Sequence, residues 1–230
     1  GHNEEGACEI ADTLLACLPS MLLYWHQYAR NGRRIEVETG GDSIAEHFLQ
    51  MLHGEPPPPE WIAAMHLSLI LYAEHEFNAS TFTARVIAGT GSDLYSCICG
   101  AIGALKGPKH GGANEVALEI QHRYRTPDQA EQDIRRRIEE REVIIGFGHP
   151  VYTISDPRSD IIKEVARGLA ETSGHIWHFD VADRIESVMR DAKRMFPNRD
   201  GCSAVADHGM GITSDLFTRI FVMARTGGWG

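Results

Sequence analysis

Three histidines of this sequence lie where predicted helices meet turns, a setting in which a side chain can contact a small substrate. They are His75 in AEHEFNAS, His110 in GPKHGGAN and His149 in GFGHPVY. The glycines beside His110 and His149 leave main-chain N–H groups accessible and allow close approach of a ligand. A single histidine of this kind is usually structural, but three in similar settings favour acid–base chemistry near neutral pH.

Charged residues further along the chain could complete such a site. They are Asp156 and Arg158 in DPR, Asp200 in FPNRD, and Arg225 in MARTGGW. A carboxylate can accept a proton, and an arginine can bind a carboxylate through two parallel hydrogen bonds. Taken singly, Asp156 is explained as a helix cap and Asp200 as a loop carboxylate.

Metal and thiol chemistry are not expected. The sequence contains no His-Glu-x-x-His or comparable ligand spacing, so we predict no metal. Its five cysteines are odd in number, and Cys97 and Cys99 have neither the redox nor the zinc-ribbon spacing. We therefore predict that both are buried thiols. With no segment that resembles a secretory signal, a reducing, cytoplasmic compartment is expected.

Helical periodicity and capping residues predict the elements that position these side chains. Apolar residues from Leu14 to Tyr28 follow helical spacing, with a kink expected at Pro19. Further helices are predicted after Ser43, after Thr126, after Asp156, over residues 182–195 and from about Thr213.

The class is predicted to be all-α. Residues 61–72 are apolar on nearly all sides, as in a central helix, and residues 81–105 have the small side chains of closely packed, buried helices. Residues 143–145 could form a short strand, but no alternating pattern occurs elsewhere.

The charge and hydropathy of the chain restrict its partners. A formal charge of -10 and a pI near 5.6 argue against binding to nucleic acid or an anionic membrane. Pro19, His26 and Gln27 interrupt the longest apolar run, so no membrane span and a soluble protein are expected.

Several long motifs resemble the citrate synthase family. AEHEFNASTFTARV, GALKGPKHGGANE, GFGHPVY followed by DPR, FPN-x-D and MAR-x-x-GW occur in the order and approximate spacing of that family, from the first helix to Trp229. Within it, GFGHPVYTISDPR is similar to the 2-methylcitrate synthases, because related bacterial citrate synthases commonly carry basic residues at the positions of Pro150 and Thr153.

The resemblance implies a large and a small helical domain with the active cleft between them. Residues 1–111 would belong to the large domain and 112–211 to the small domain. Residues 212–230, where the chain returns, would belong to the large domain again. Family members extend beyond both ends of this sequence, and in them one subunit supplies an arginine to the site of its partner. A homodimer is therefore implied as well.

The implied reaction joins propionyl-CoA to oxaloacetate and water, giving 2-methylcitrate and CoA, with side activity on acetyl-CoA and no cofactor. By match to the family, Asp200 is the catalytic base, His110 stabilises the enol of the thioester, and His149 polarises the oxaloacetate carbonyl. The implied oxaloacetate contacts are His75, Asn78, Arg158 and Arg225. The implied CoA contacts are Ile145, Gly146, Phe147, Gly148 and Lys193.

Two alternatives stay open. One is a citrate synthase that uses acetyl-CoA, since a single methyl group separates the two donors. The other is a truncated, non-catalytic helical module of the same fold.

Overall fold

The computed structural model describes residues 4–108, 110–144, 147, 156–193 and 199–230; at positions 4, 5, 113, 114, 157 and 199–201 it describes the main chain alone. Within these ranges the regular structure is helical and no β-strand occurs, which confirms the all-α class. Val143 and Ile144 are irregular. The helices are α1 (Glu4–Asn31), α2 (Ile44–His53), α3 (Pro59–Ala73), α4 (Ala79–Ala88), α5 (Leu94–Leu105), α6 (Ala113–Gln121), α7 (Pro127–Glu139), α8 (Pro157–Thr172), α9 (Ile176–Lys193), α10 (Arg199–Gly209) and α11 (Phe217–Trp229), with a 3₁₀ turn at Ser214–Leu216.

Capping residues set several of the helix ends where the sequence predicts them. The Ser43 hydroxyl accepts a hydrogen bond from the Glu46 N–H, and α2 ends at Gly54 with a φ of 79°. Thr126 and Asp156 cap α7 and α8, each of which has proline in its first turn. These three predicted helix starts are confirmed.

The first helix, α1, runs through Pro19 and is longer and more apolar than expected. Its Gly6–Asn31 segment has 26 residues and contains an apolar stretch, so by length and composition it could cross a membrane. The prediction that no apolar run is long enough is therefore wrong, because Pro19, His26 and Gln27 are uncharged and lower the average too little. One such helix is weak evidence, since core helices and signal sequences meet the same criterion.

The chain divides into two compact units. The first comprises Gly1–Gly111 and Thr218–Gly230, and the second comprises Gly112–Phe217. The predicted domain bounds, 1–111, 112–211 and 212–230, and their assignment as the family's large and small domains stay predictions.

In the first unit, α4 and α5 pack closely, as their small residues predict. A Cβ added at Gly100 would lie 2.1 Å from Cδ1 of Ile87, so the Ile87 side chain would have to move to admit it. The two helices are not buried all round, however, because Phe82 on α4 and Tyr95 on α5 are at least half exposed. Cys97 is buried but Cys99 is exposed, which corrects the prediction for Cys99. Apolar residues of α4 and α5 therefore lie on both the buried and the exposed sides of this helix pair.

The second unit has an apolar core built mainly by α7 and α9. Ile134 of α7 and Val181 of α9 are fully buried in it, and Phe147 packs against its edge. The Tyr124 hydroxyl donates a hydrogen bond to Asp133, with 2.7 Å between the oxygens. This core packs the middle of α9 against α7.

Candidate active site

The predicted site residues are distributed over both units. His75, Asn78, His110 and Arg225 belong to the first unit, and Phe147, Arg158, Lys193 and Asp200 belong to the second. His149, Ile145, Gly146 and Gly148 lie outside the described residues. For Asp200 the main chain is described, in the first turn of α10.

His110 is held by Ser80, which is fully buried near the start of α4. The Ser80 hydroxyl oxygen lies 2.9 Å from Nε2 of His110, and the Ser80 main-chain N–H points at the same nitrogen over 3.4 Å. Trp229 donates its indole N–H to the Ser80 hydroxyl over 3.3 Å. The imidazole is thus fixed at one edge by a buried serine.

The main-chain contact assigns the tautomer of His110. The Ser80 N–H can only donate, so Nε2 is assigned as an acceptor and the proton of a neutral imidazole is assigned to Nδ1. The Ser80 hydroxyl oxygen lies within reach of both Nε2 of His110 and the Asn78 side-chain oxygen, at 2.9 and 2.7 Å. Burial, together with the charge of Arg225, lowers the pKa of His110 to about 4. The imidazole of His110 is therefore neutral near pH 7, because it is partly buried and lies near a cation. A neutral ring with a proton on Nδ1 can donate a hydrogen bond to a carbonyl oxygen.

Arg225 of α11 is almost fully buried, with 1% of its surface exposed. Its Nε donates to the Tyr72 carbonyl oxygen over 2.6 Å, and its guanidinium lies 4.7 Å from the ring centre of Phe221. The edge of the same ring contacts the imidazole of His110, with centroids 6.1 Å apart. Phe221 therefore positions both the predicted carboxylate ligand and the predicted enol stabiliser.

The turn between α3 and α4 orients His75. The Asn78 side-chain amide donates to the His75 carbonyl oxygen over 3.0 Å, and its oxygen accepts from the main-chain N–H groups of Ser80 and Thr81. Asn78 is thus the N-cap of α4. In this structure it shapes the turn that carries His75, and its contact with oxaloacetate stays a prediction.

In the second unit Arg158 forms an ion pair with Asp156, which is 1% exposed. Nε and Nη2 of Arg158 donate to the two carboxylate oxygens over 2.9 and 2.7 Å, and the Asp156 carboxylate also accepts from the Arg158 main-chain N–H. The bidentate pair locks the arginine at the N-terminus of α8. Asp156 is therefore both a helix cap and the residue that orients a predicted oxaloacetate ligand.

The structure describes two of the predicted CoA contacts, both in the second unit. Phe147 is half-buried against the core of the second unit, and Lys193 is exposed at the end of α9. Their roles toward CoA stay predictions.

Sequence reasoning did not single out Ser80, Trp229 or Phe221. Ser80 and Trp229 stand inside the motifs AEHEFNAS and MAR-x-x-GW, but a serine in a first turn and a terminal tryptophan have ordinary structural explanations. Their contacts with His110 and with each other join residues up to 149 positions apart. Local patterns contain no signal for such contacts.

The family model described as citrate synthase, C-terminal domain, matches residues 2–230. A 2-methylcitrate synthase of Shewanella oneidensis is 47% identical over 99% of this chain and 61% of its own length. Citrate synthase 2 of Bacillus subtilis is 47% identical over 81% of this chain and 50% of its own.

Solved structures agree with the sequence relatives. The citrate synthase of Thermoplasma acidophilum, in a ternary complex with carboxymethyl coenzyme A and oxaloacetate, has a TM-score of 0.91 at 31% identity, covering 99% of this chain and 61% of that one. The citrate synthase of Pyrobaculum aerophilum has a TM-score of 0.89 at 38% identity, covering 100% and 58%. This chain spans about three fifths of the length of most of these relatives. The chain belongs to the citrate synthase family.

Proposed function

We propose that the protein carrying this chain condenses a short acyl-CoA with oxaloacetate, and that propionyl-CoA is the preferred donor, giving 2-methylcitrate. The observation that carries the proposal is His110, a half-buried neutral imidazole whose Nε2 faces Ser80 and whose Nδ1 proton is left for a substrate oxygen. The similarity to the 2-methylcitrate synthase of Shewanella oneidensis supports propionyl-CoA as donor.

In the first step the Asp200 carboxylate takes a proton from the α-carbon of the acyl-CoA. Negative charge moves to the thioester oxygen, where the Nδ1–H of His110 donates a hydrogen bond and stabilises the enolate. A neutral donor suits this step, because it stabilises the developing enolate without transferring its own proton to the thioester oxygen.

In the second step the α-carbon attacks the ketone carbon of oxaloacetate, and His149 supplies a proton to the new alkoxide. A water molecule then attacks the thioester carbon, and the carbon–sulfur bond breaks to release CoA and 2-methylcitrate. Arg158 and Arg225 would hold the two carboxylates of oxaloacetate, with His75 as a further contact. The chain carries a formal charge of -10, which disfavours binding of an anion. Arginines fixed in the site are therefore needed to bind the carboxylates of oxaloacetate.

The second candidate is a citrate synthase that uses acetyl-CoA, which the equal identity to citrate synthase 2 of Bacillus subtilis favours. Comparing kcat/KM for propionyl-CoA and acetyl-CoA at fixed oxaloacetate separates the two. A ratio above one is expected for propionyl-CoA. A ratio of one or less would remove the assignment as a 2-methylcitrate synthase and leave condensation itself intact.

Binding of oxaloacetate tests whether the site is functional at all. By calorimetry, Arg158→Ala should weaken binding at least about tenfold, because a charged hydrogen-bonded pair is lost. Arg123→Ala, at an exposed arginine of the same unit, should leave binding unchanged. No binding by the unmodified protein would instead support the non-catalytic helical module. A homodimer and a cytoplasmic location complete the proposal.

A further inference from the structure

A second group of histidines lies in the second unit and includes no residue assigned to the reaction. His122 follows the last residue of α6, His178 is in the first turn of α9, and His208 is in the last turn of α10. One ring nitrogen of each lies within 4.8 Å of the others. The three helix ends converge on one point of the surface, where His122 is exposed and His178 is buried.

The spacing of these nitrogens approaches that of a metal centre. Tetrahedral zinc with Zn–N distances of 2.0–2.1 Å needs nitrogens about 3.4 Å apart. Adjusting side-chain torsions by small amounts would close the difference, because the largest separation is 4.8 Å. Each imidazole comes from a different helix, so the metal would be chelated without strain in any single element.

His178 provides an independent observation. Its surface is 1% exposed, and its Nε2 atom has no hydrogen-bond partner among the residues that the structure describes. A buried polar atom without a partner is costly, and an unpaired one in a native structure is often completed by an ion or a water molecule. The neighbouring Trp177 ring stacks on the imidazole at 5.0 Å but offers Nε2 no acceptor or donor. A cation bound at this nitrogen would remove the cost.

We propose that His122, His178 and His208 bind a divalent transition-metal cation of the Zn²⁺ class. Imidazole nitrogen is a preferred ligand of such cations, whereas Mg²⁺ and Ca²⁺ prefer oxygen. Burial lowers the pKa of His122 and His208, and that of His178 to about 3, so all three keep a free lone pair at neutral pH. Water would occupy the fourth position, or His175, whose ring centre is 6.3 Å from that of His208.

The consequence for the protein is a clamp on α10. The metal would tie the C-terminal turn of this helix to the ends of α6 and α9, and the N-terminal turn of the same helix carries Asp200. Bound metal would therefore stabilise the helix that holds the proposed catalytic base, without contact with the substrates.

Titration of the metal-free protein with Zn²⁺ alone tests the site. One Zn²⁺ per chain is expected, and His178→Ala and His122→Gln should each weaken binding at least about 10- to 100-fold, since even indirect contacts to a metal are worth that much. His122 is exposed, so His122→Gln should leave the fold intact. His66→Ala, at an exposed histidine of α3, is the matched control and should bind Zn²⁺ like the unmodified protein.

Two further readouts separate a built site from scattered surface histidines, of which the chain has several among its twelve. Co²⁺ should give the intense visible bands of a four-coordinate site, and these should be absent from His122→Gln. Mg²⁺ should not compete. Zn²⁺ binding that is unchanged in both variants, or Co²⁺ spectra typical of six-coordinate hydrated ions, would overturn the proposal.

Discussion

At the scale of the residue, the chemistry of His110 depends on what lies behind its ring. Ser80 presents a main-chain N–H and a hydroxyl to Nε2, while Arg225 and burial oppose a positive charge on the imidazole. The three histidine motifs and the two arginines could be found from sequence, because each stands in a long motif. Ser80 could not be assigned this role, because its partner is 30 residues away.

Ser80→Ala should lower kcat for condensation by roughly 5- to 150-fold, because one buried hydrogen bond is worth about 1–3 kcal/mol when its partners are left unpaired. The KM for oxaloacetate should change little, since the arginines are untouched. Thr83→Ala is the control, as it removes a hydroxyl that donates to the main chain of the same helix. Equal kcat values for the two variants would show that Ser80 does not position His110.

At the scale of the element, helix α11 approaches the end of α3 so closely that only glycine fits. A Cβ added at Gly228 would lie 2.3 Å from the Ala73 carbonyl oxygen, two residues before His75. The starts of α2, α7 and α8 could be predicted from their capping residues, because caps are local interactions. The close approach of α11 joins distant parts of the chain, and sequence patterns do not encode such distances.

Gly228→Ala should lower the free energy of unfolding by about 1–3 kcal/mol, since main-chain atoms must move to admit the methyl group. Gly103→Ala is the matched change at an exposed position of α5, where a Cβ meets nothing within 4 Å. It should instead stabilise the protein by about 0.5–1 kcal/mol through helix propensity. Urea unfolding measures both values, and destabilisation of the same size in both variants would contradict the packing argument.

At the scale of the whole molecule, an acidic chain uses a few fixed cations for anionic substrates. Composition predicted the acidic character and periodicity predicted the helical class, because both are averages over many residues. The length of the apolar segment in α1 was underestimated, since an interruption by uncharged residues does not shorten a hydrophobic helix. The histidine group of α6, α9 and α10 was also missed, because its ligands are separated by tens of residues.

The pH dependence of stability belongs to this scale. The folded-state pKa of His110 is lowered from 6.5 to about 4, so the unfolded chain binds its proton more tightly. The contribution of the neutral His110 side chain to the free energy of unfolding is complete above pH 6.5 and is lost as the pH falls from 6.5 toward 4. Urea midpoints should therefore decrease more steeply over that interval in the unmodified protein than in His110→Gln. Parallel decreases would mean that His110 is protonated in the folded state.

Release of CoA from propionyl-CoA in the presence of oxaloacetate is the most direct measurement. The unmodified protein should turn over, His110→Ala should lose about 10²- to 10⁴-fold in kcat, and His66→Ala should retain full activity. Turnover by His110→Ala within a factor of ten of the unmodified protein would contradict the role given to this imidazole.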